Sequence, residues 1–240
     1  MKLRNTKILF LIERNSKIRQ DVFFYEEQLK NAFKTPFLIH NNISDQADPN
    51  IVRFQSTSLN SFSNLQVTQN KIILETNYDN NFESNFSLVA NYLSGKIKIL
   101  NPVVFKEKLN FIGILSLLDN EMENKDILPL IKSETDIKII DNDLIEFKYQ
   151  YAKKYENKYI ANISIAPYTR IVAELININS KTAKAKIDSK GLQVKVDFNT
   201  NVPGVEKKEL NNEMTENMLK DYFNLMSKNQ LKNFLKGELL

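Results

Sequence analysis

The chain of 240 residues has no cysteine, no tryptophan, a single histidine and five glycines. Without cysteine there can be no disulfide, no thiolate nucleophile and no thiolate-ligated zinc. Histidine is the usual acid, base and metal ligand near neutral pH. The lone His40 stands beside Asn41 and Asn42 at a strand end, where an exposed loop residue is a simpler reading than a catalytic one. The glycines, at 95, 113, 191, 204 and 237, are isolated, so neither a phosphate-cradling loop nor a Gly-x-Ser-x-Gly elbow can be formed. Long apolar runs are also missing. Ile8-Leu9-Phe10-Leu11-Ile12 ends at Glu13 and Arg14, far short of the roughly 20 residues of a membrane span and of a signal-peptide core. These absences lead us to expect a soluble, cytoplasmic chain with no membrane partner and no cofactor, and they nominate no catalytic, cofactor-binding or metal-binding residue.

Charge of one sign is lacking too. Residues 1–120 carry 14 basic and 11 acidic side chains and the remainder 19 and 18, so the formal charge of +4 is not concentrated in either half. A dedicated nucleic-acid binder usually clusters its positive charge. Hydrophobic residues make up 42% and charged residues 26%, the balance of a folded globular chain rather than a disordered one.

What is present is a plan that returns. Val67–Asn81 recurs in residue type as Ile187–Asn201, an offset of 120 in a chain of 240. Each copy has a polar turn, an alternating strand, an Asn/Asp-aromatic pair and a polar break before a helical pattern. The repetition predicts an internal duplication: two similar α+β halves, 1–120 and 121–240, each an antiparallel sheet with helices on one face. The polar stretch Asp119–Asp126 is the expected boundary.

Apolar spacing places the elements. Lys7–Glu13 reads as a strand and residues 17–33 as a helix that Pro36 cannot extend. Asn41–Asn50 is a polar loop. Ile51–Thr57, Leu59–Val67 and Gln69–Tyr78 read as strands. A helix capped by Asn81 runs to about Leu93 with Gly95 as its stop, followed by a strand over Phe111–Leu118. In the second half we expect a short helix at Ile127–Lys132. Strands are expected at Ile137–Ile140, Leu144–Tyr151, Lys158–Ala166, Arg170–Ile178, Thr182–Ile187 and Leu192–Phe198. Ser189-Lys190-Gly191 supplies turn chemistry between the last two. Residues 209–235 form the longest helix, closed by Gly237, with Leu210, Met214, Met218, Tyr222, Leu225, Met226 and Leu235 as its apolar stripe. Alternation turns Ala183, Ala185, Ile187, Leu192, Val194 and Val196 to one face, and Lys184, Lys186, Gln193 and Lys195 to the other.

Read in order, Ile8–Ile12, Lys17–Phe33, Pro36, Arg53-Phe54-Gln55-Ser56, Leu65-Gln66-Val67, Ile72–Asn77 and Phe82–Leu93 resemble a sporadically distributed, uncharacterised family of bacterial proteins of similar length. The resemblance covers mainly residues 7–118. Where the family has an Arg-Tyr-Ile-Asn-like strand, this chain has Asn110-Phe111-Ile112-Gly113. The resemblance implies no activity, cofactor or catalytic residue. By analogy it suggests an adaptor subunit of a bacterial mobile-element or phage-defence system.

Two constellations could carry chemistry. A metal-dependent nuclease would need Asp136, Asp141, Asp143, Glu146 and Lys148 gathered on neighbouring strands. Acidic-x-Lys pairs also occur at Glu123, Asp136, Glu156, Asp188 and Glu206, and composition alone would produce about three, so the pattern is not diagnostic. The stretch 147–159 interleaves Lys148, Tyr149, Tyr151, Lys153, Lys154, Tyr155 and Tyr159. With Lys184, Lys186 and Lys195 it could form an interaction surface, stacking bases and meeting phosphates or anchoring a protein. The plainer alternative is a hairpin whose tyrosines cover a sheet and whose lysines are solvated. We therefore expect a non-enzymatic binding protein whose partner is a protein, either a second copy or another subunit. A nucleic-acid binder is the alternative and a nuclease a distant third.

Overall fold

Among the described residues of the computed structural model, nine strands form one antiparallel sheet in the order β2-β3-β4-β5-β1-β6-β9-β8-β7. The structure describes residues 1–33, 37–58, 63–78, 85–135, 147–156, 158–177, 182–203 and 210–239. In chain order, β1 is Lys2–Ile12, α1 Val22–Ala32, β2 Phe37–His40, β3 Phe54–Ser58, β4 Ser63–Val67, β5 Lys71–Asn77, α2 Phe86–Val104 and β6 Leu109–Glu121. Then follow α3 Asn124–Glu134, β7 Tyr149–Tyr155, β8 Tyr159–Asn177, β9 Thr182–Asn199, α4 Asn212–Lys228 and α5 Leu231–Lys236. The expected strand at Ile137–Ile140, the start of the one at Leu144, the cap at Asn81, Pro36 and the carboxylates Asp136, Asp141, Asp143 and Glu146 lie outside the described residues.

The α+β class expected from sequence is the architecture observed. The sheet, however, is continuous across both halves. Its central pair is β1 and β6, matched from Lys2 opposite Asp119 to Ile12 opposite Leu109 with register shifts between Leu3 and Asn5 and between Leu11 and Ile12. β5 flanks β1 and precedes α2, while β9 flanks β6 and precedes α4. The expected boundary at Asp119–Asp126 falls at the end of β6 and the start of α3.

Alternation decides what the sheet buries. Ile8, Phe10 and Ile12 of β1, Ile72 and Leu74 of β5, Ile112, Ile114 and Leu118 of β6, and Val194, Val196 and Phe198 of β9 are all buried. The helices cover this face. Tyr25 of α1 stacks on Phe54 at 4.9 Å between ring centres, Tyr222 of α4 meets Phe198 at 5.6 Å, and Tyr92 of α2 hydrogen-bonds Ser63 at 2.7 Å. Within the layer the Tyr151 hydroxyl of β7 donates to the Phe234 carbonyl of α5 at 2.9 Å. Among the described residues no helix is long and apolar enough to cross a membrane.

Three local expectations are corrected. Helix α2 does not stop at Gly95 but runs on through it, because Ile97, Leu100, Val103 and Val104 continue the buried stripe. Its cap is Asn85, whose side chain accepts from the Leu88 amide at 3.1 Å. The helix expected over 209–235 is broken into α4 and α5. Asn229 leaves the helical region at φ −98°, ψ 131°, its side chain donates to the Leu225 carbonyl at 2.7 Å, and Gln230 and Asn233 form a fresh capping box. Gly237 does close the second piece, at φ 70°. Ser189-Lys190-Gly191 is no turn: Thr182–Ile187 and Leu192–Phe198 are parts of one 18-residue strand, and the two strands expected from Lys158 and from Arg170 likewise merge into β8, Tyr159–Asn177, with Ile178 outside the described residues. Gly191 serves close approach instead. A Cβ there would lie 2.1 Å from the Asn120 carbonyl oxygen of β6.

Candidate interaction face

The side of the sheet away from the helices carries no described helix, and its character follows from register. Leu9 of β1 stands between Ile73 of β5 and Gly113 of β6, and Leu11 between Lys71 and Phe111. The Phe111 ring lies over Gly113, where an added Cβ would come within 2.8 Å of it. Leu115 and Leu117 continue the row along β6, facing Lys7 and Asn5 on one side and Asp197 and Lys195 on the other. Leu9, Leu11, Ile73, Phe111, Leu115 and Leu117 are each half-buried. They form an apolar centre at the junction of the halves, framed by Gln55, Gln66, Glu75, Gln193 and Asn162. Salt bridges within the frame, such as Lys7 to Glu75 at 3.3 Å, alternate the charge.

One end of this face is closed by a buried carboxylate. Asp119 of β6 is fully buried, and Arg4 Nε approaches its Oδ2 at 3.2 Å, Arg170 Nη2 the same oxygen at 2.6 Å, and Gln193 Nε2 its Oδ1 at 3.0 Å. The four groups come from β1, β6, β8 and β9, so the cluster ties together strands from both halves. Arg4 also reaches Glu121 Oε1 at 3.2 Å, so the cluster extends to the end of β6, an arrangement suited to holding strands in place.

The structure does not bring the tyrosines and lysines of the sequence-derived surface onto one face. Tyr149 and Tyr151 pair with Ile165 and Ile163 of β8 and lie on the helix side. Tyr155 and Tyr159 pack on Phe198, at 5.6 and 4.9 Å between ring centres. Burial, with smaller contributions from Asp221 and Glu156, pushes the Tyr159 hydroxyl up to about 12. Burial raises Tyr151 as well. These phenols stay protonated at physiological pH. Lys148, Lys153 and Lys154 are exposed at the β7 edge, Lys195 is exposed on the open face, and Lys184 and Lys186 are exposed farther along β9. His40 is an exposed residue at the end of β2, its ring stacked on Phe54 at 4.9 Å.

Among the described residues no three His, Asp or Glu side chains converge to hold a metal ion. An open cleft of about 510 Å³ between α2 and α4 is lined by Ala90, Ser94, Gly95, Lys98, Glu216 and Lys220. Sequence reading missed both the Asp119 cluster and the apolar centre. The parity of Leu115, Leu117 and Asp119 along β6 is the signal that would have found them. Neither a scan against protein-family models nor a search of curated proteins gives a match for this chain.

Proposed function

We propose that this is a non-enzymatic binding protein that receives a protein partner on the open face of its sheet. The observation behind this reading is the contiguous apolar centre of Leu9, Leu11, Ile73, Phe111, Leu115 and Leu117 inside a polar frame of mixed charge. An apolar centre with a wet polar rim is the anatomy of a protein interface. A phosphate backbone would instead call for sustained positive charge, and Glu75, Glu121 and Asp197 interrupt the lysines here.

The halves fit an internal duplication. The order β1, α1, β2, β3, β4, β5, α2 is paralleled, with one strand fewer among the described residues, by β6, α3, β7, β8, β9, α4, and each run is arrayed outward from the central pair. On this reading the binding face is built symmetrically at the junction. An adaptor role in a mobile-element or defence system rests on the sequence resemblance of residues 7–118 alone.

Nucleic acid is the second reading, favoured by the exposed Lys184, Lys186 and Lys195 along β9. Affinity capture followed by direct titration, comparing the wild type with a folded Leu9→Glu/Leu115→Glu variant, tests the first. A partner bound by the wild type and lost in the variant is expected. Submicromolar DNA or RNA binding that weakens steeply with salt and disappears in Lys184→Glu/Lys186→Glu/Lys195→Glu would replace it with the second.

A further inference from the structure

Two cations converge on one oxygen at the end of the open face. Arg4 Nε and Arg170 Nη2 both donate to Asp119 Oδ2, at 3.2 and 2.6 Å, while Oδ1 accepts from Gln193 at 3.0 Å. The buried carboxylate therefore balances one guanidinium of the two. Arg4 has a second anion in Glu121 at 3.2 Å, which Lys2 also reaches at 3.3 Å. Arg170 has no second anion among the described residues. Its fork offers several N–H donors, the bond to Asp119 uses Nη2 alone, and 33% of its side chain is in solvent. Lys195, exposed on the same face, stands opposite Leu117. This end thus sets Lys2, Arg4, Arg170 and Lys195 against Asp119 and Glu121, whereas farther along the face Lys7 and Lys71 are balanced by Glu75 and Asp197. Two unspent donors lie at the same end. Tyr168 Oη and Ser189 Oγ are buried without a hydrogen-bond partner, and burial, with Asp119 and Glu121 acting in the same direction, raises the Tyr168 hydroxyl and keeps it protonated. A buried hydroxyl lacking an acceptor is costly, and its dipole can turn towards an anion that arrives nearby.

We propose that this end of the open face anchors a carboxylate of the protein partner, with Arg170 as the residue that takes it. The inference rests on the open face being the binding face, and it names what the partner carries there. Apolar side chains cover Leu115 and Leu117, and an aspartate or glutamate follows a short step beyond. Leu117 and Asp119 are neighbours on one face of β6, about 7 Å apart along the strand, so the acidic group belongs within a residue or two of the last apolar anchor. Guanidinium and carboxylate match as planar forks, and the bond that Asp119 already makes fixes the Arg170 head before the partner arrives. A carboxylate also suits the charge. It cancels the surplus on Arg170, whereas a phosphate brings more than one negative charge and would face Glu121 as well.

The probes are two sets of synthetic hexapeptides rich in leucine, valine and phenylalanine, identical except that one set carries glutamate where the other carries glutamine. Anisotropy titration should show the glutamate set binding the wild type at least about tenfold more tightly, the worth of one charge-assisted pair. Arg170→Gln should bind both sets equally, at the strength the glutamine set has on the wild type. Arg170→Lys, which keeps the charge and loses the fork, should retain part of the preference. Competition on the wild type reads the same anchor without any variant. Sodium acetate should displace the glutamate set more than sodium chloride of equal ionic strength does, and should leave the glutamine set in place. Equal binding of the two sets would overturn the anchor while the apolar face stands, and binding of neither set would overturn both. Sodium phosphate displacing the glutamate set more strongly than acetate would assign Arg170 to a phosphate ligand instead.

Discussion

Arg170 Nη2 lies 2.6 Å from Asp119 Oδ2, so β8 is bonded directly to the central strand β6 across the intervening β9. Arg4 reaches the same oxygen from β1 at 3.2 Å. A buried carboxylate with two arginines and a glutamine around it is costly to break on one side only, because the arginines lose their counter-charge. Asp119→Ala should therefore destabilise the fold by about 3 kcal/mol. Urea denaturation of the two proteins checks this, and an unchanged midpoint would show that the cluster holds nothing together.

Two glycines should respond in opposite directions. Gly191→Ala places a methyl group 2.1 Å from the Asn120 carbonyl, backbone that cannot turn aside, and should cost at least about 3 kcal/mol as β6 and β9 separate. Gly95 is exposed inside α2 with nothing within 4 Å of an added Cβ. Gly95→Ala should stabilise by about 0.5–1 kcal/mol through helix propensity. Thermal melts of the pair under one buffer decide it.

Met218 is fully buried on the face of α4 that packs on the sheet, next to Leu219 and Tyr222. Met218→Asp forces an unpaired carboxylate into that layer and should cost about 4 kcal/mol, enough to unfold a marginal domain. Met214, half-buried one turn earlier, should tolerate the same change at much smaller cost. Equal melting temperatures for the two variants would contradict the burial of this stripe.

Acid should loosen the packing of α1. Burial acts to raise the Asp21 carboxyl, but hydrogen bonds from Lys106 and Asn15 outweigh it and hold the group below the ordinary aspartate range. A carboxylate depressed in the folded state contributes stability that is fully present above its unfolded pKa. That contribution is lost as pH falls through the lower folded value. Wild-type stability should thus drop more steeply than that of Asp21→Asn over this acidic window, and the two curves should run parallel above it. Denaturation midpoints measured across the acid range test the difference.

Much of the fold is legible in the residues themselves, because period-two alternation is a local property. Ile8, Phe10 and Ile12, or Leu192, Val194 and Val196, announce a strand with one buried face whatever their neighbours are. The stripe of Met218, Tyr222 and Met226 announces a helix in the same way, and the polar Asn41–Asn50 announces a loop. Boundaries were less legible where a local stop signal was overruled by packing. Gly95 lies inside α2 since Ile97 and Leu100 still have a sheet to cover. Asn229 breaks the C-terminal helix although nothing in its spacing demands it. Ser189-Lys190-Gly191 looks like turn chemistry, yet it is extended because β6 and β8 both offer partners at that point.

The candidate site shows the same division. Composition and pattern by themselves determined an α+β chain with amphipathic strands, mixed charge and one exposed-looking histidine. Which strands become neighbours was decided only by tertiary structure. Strand order sets Leu9 beside Ile73 and Gly113, and brings Arg4, Asp119, Arg170 and Gln193 from four strands to one point. It also sent the tyrosines of 149–159 under the helices and left their lysines outside. The physical reason is range: alternation is read along a few residues, whereas hydrogen-bonded pairing joins residues more than 100 apart, such as Arg4 and Asp119, through contacts no local pattern encodes.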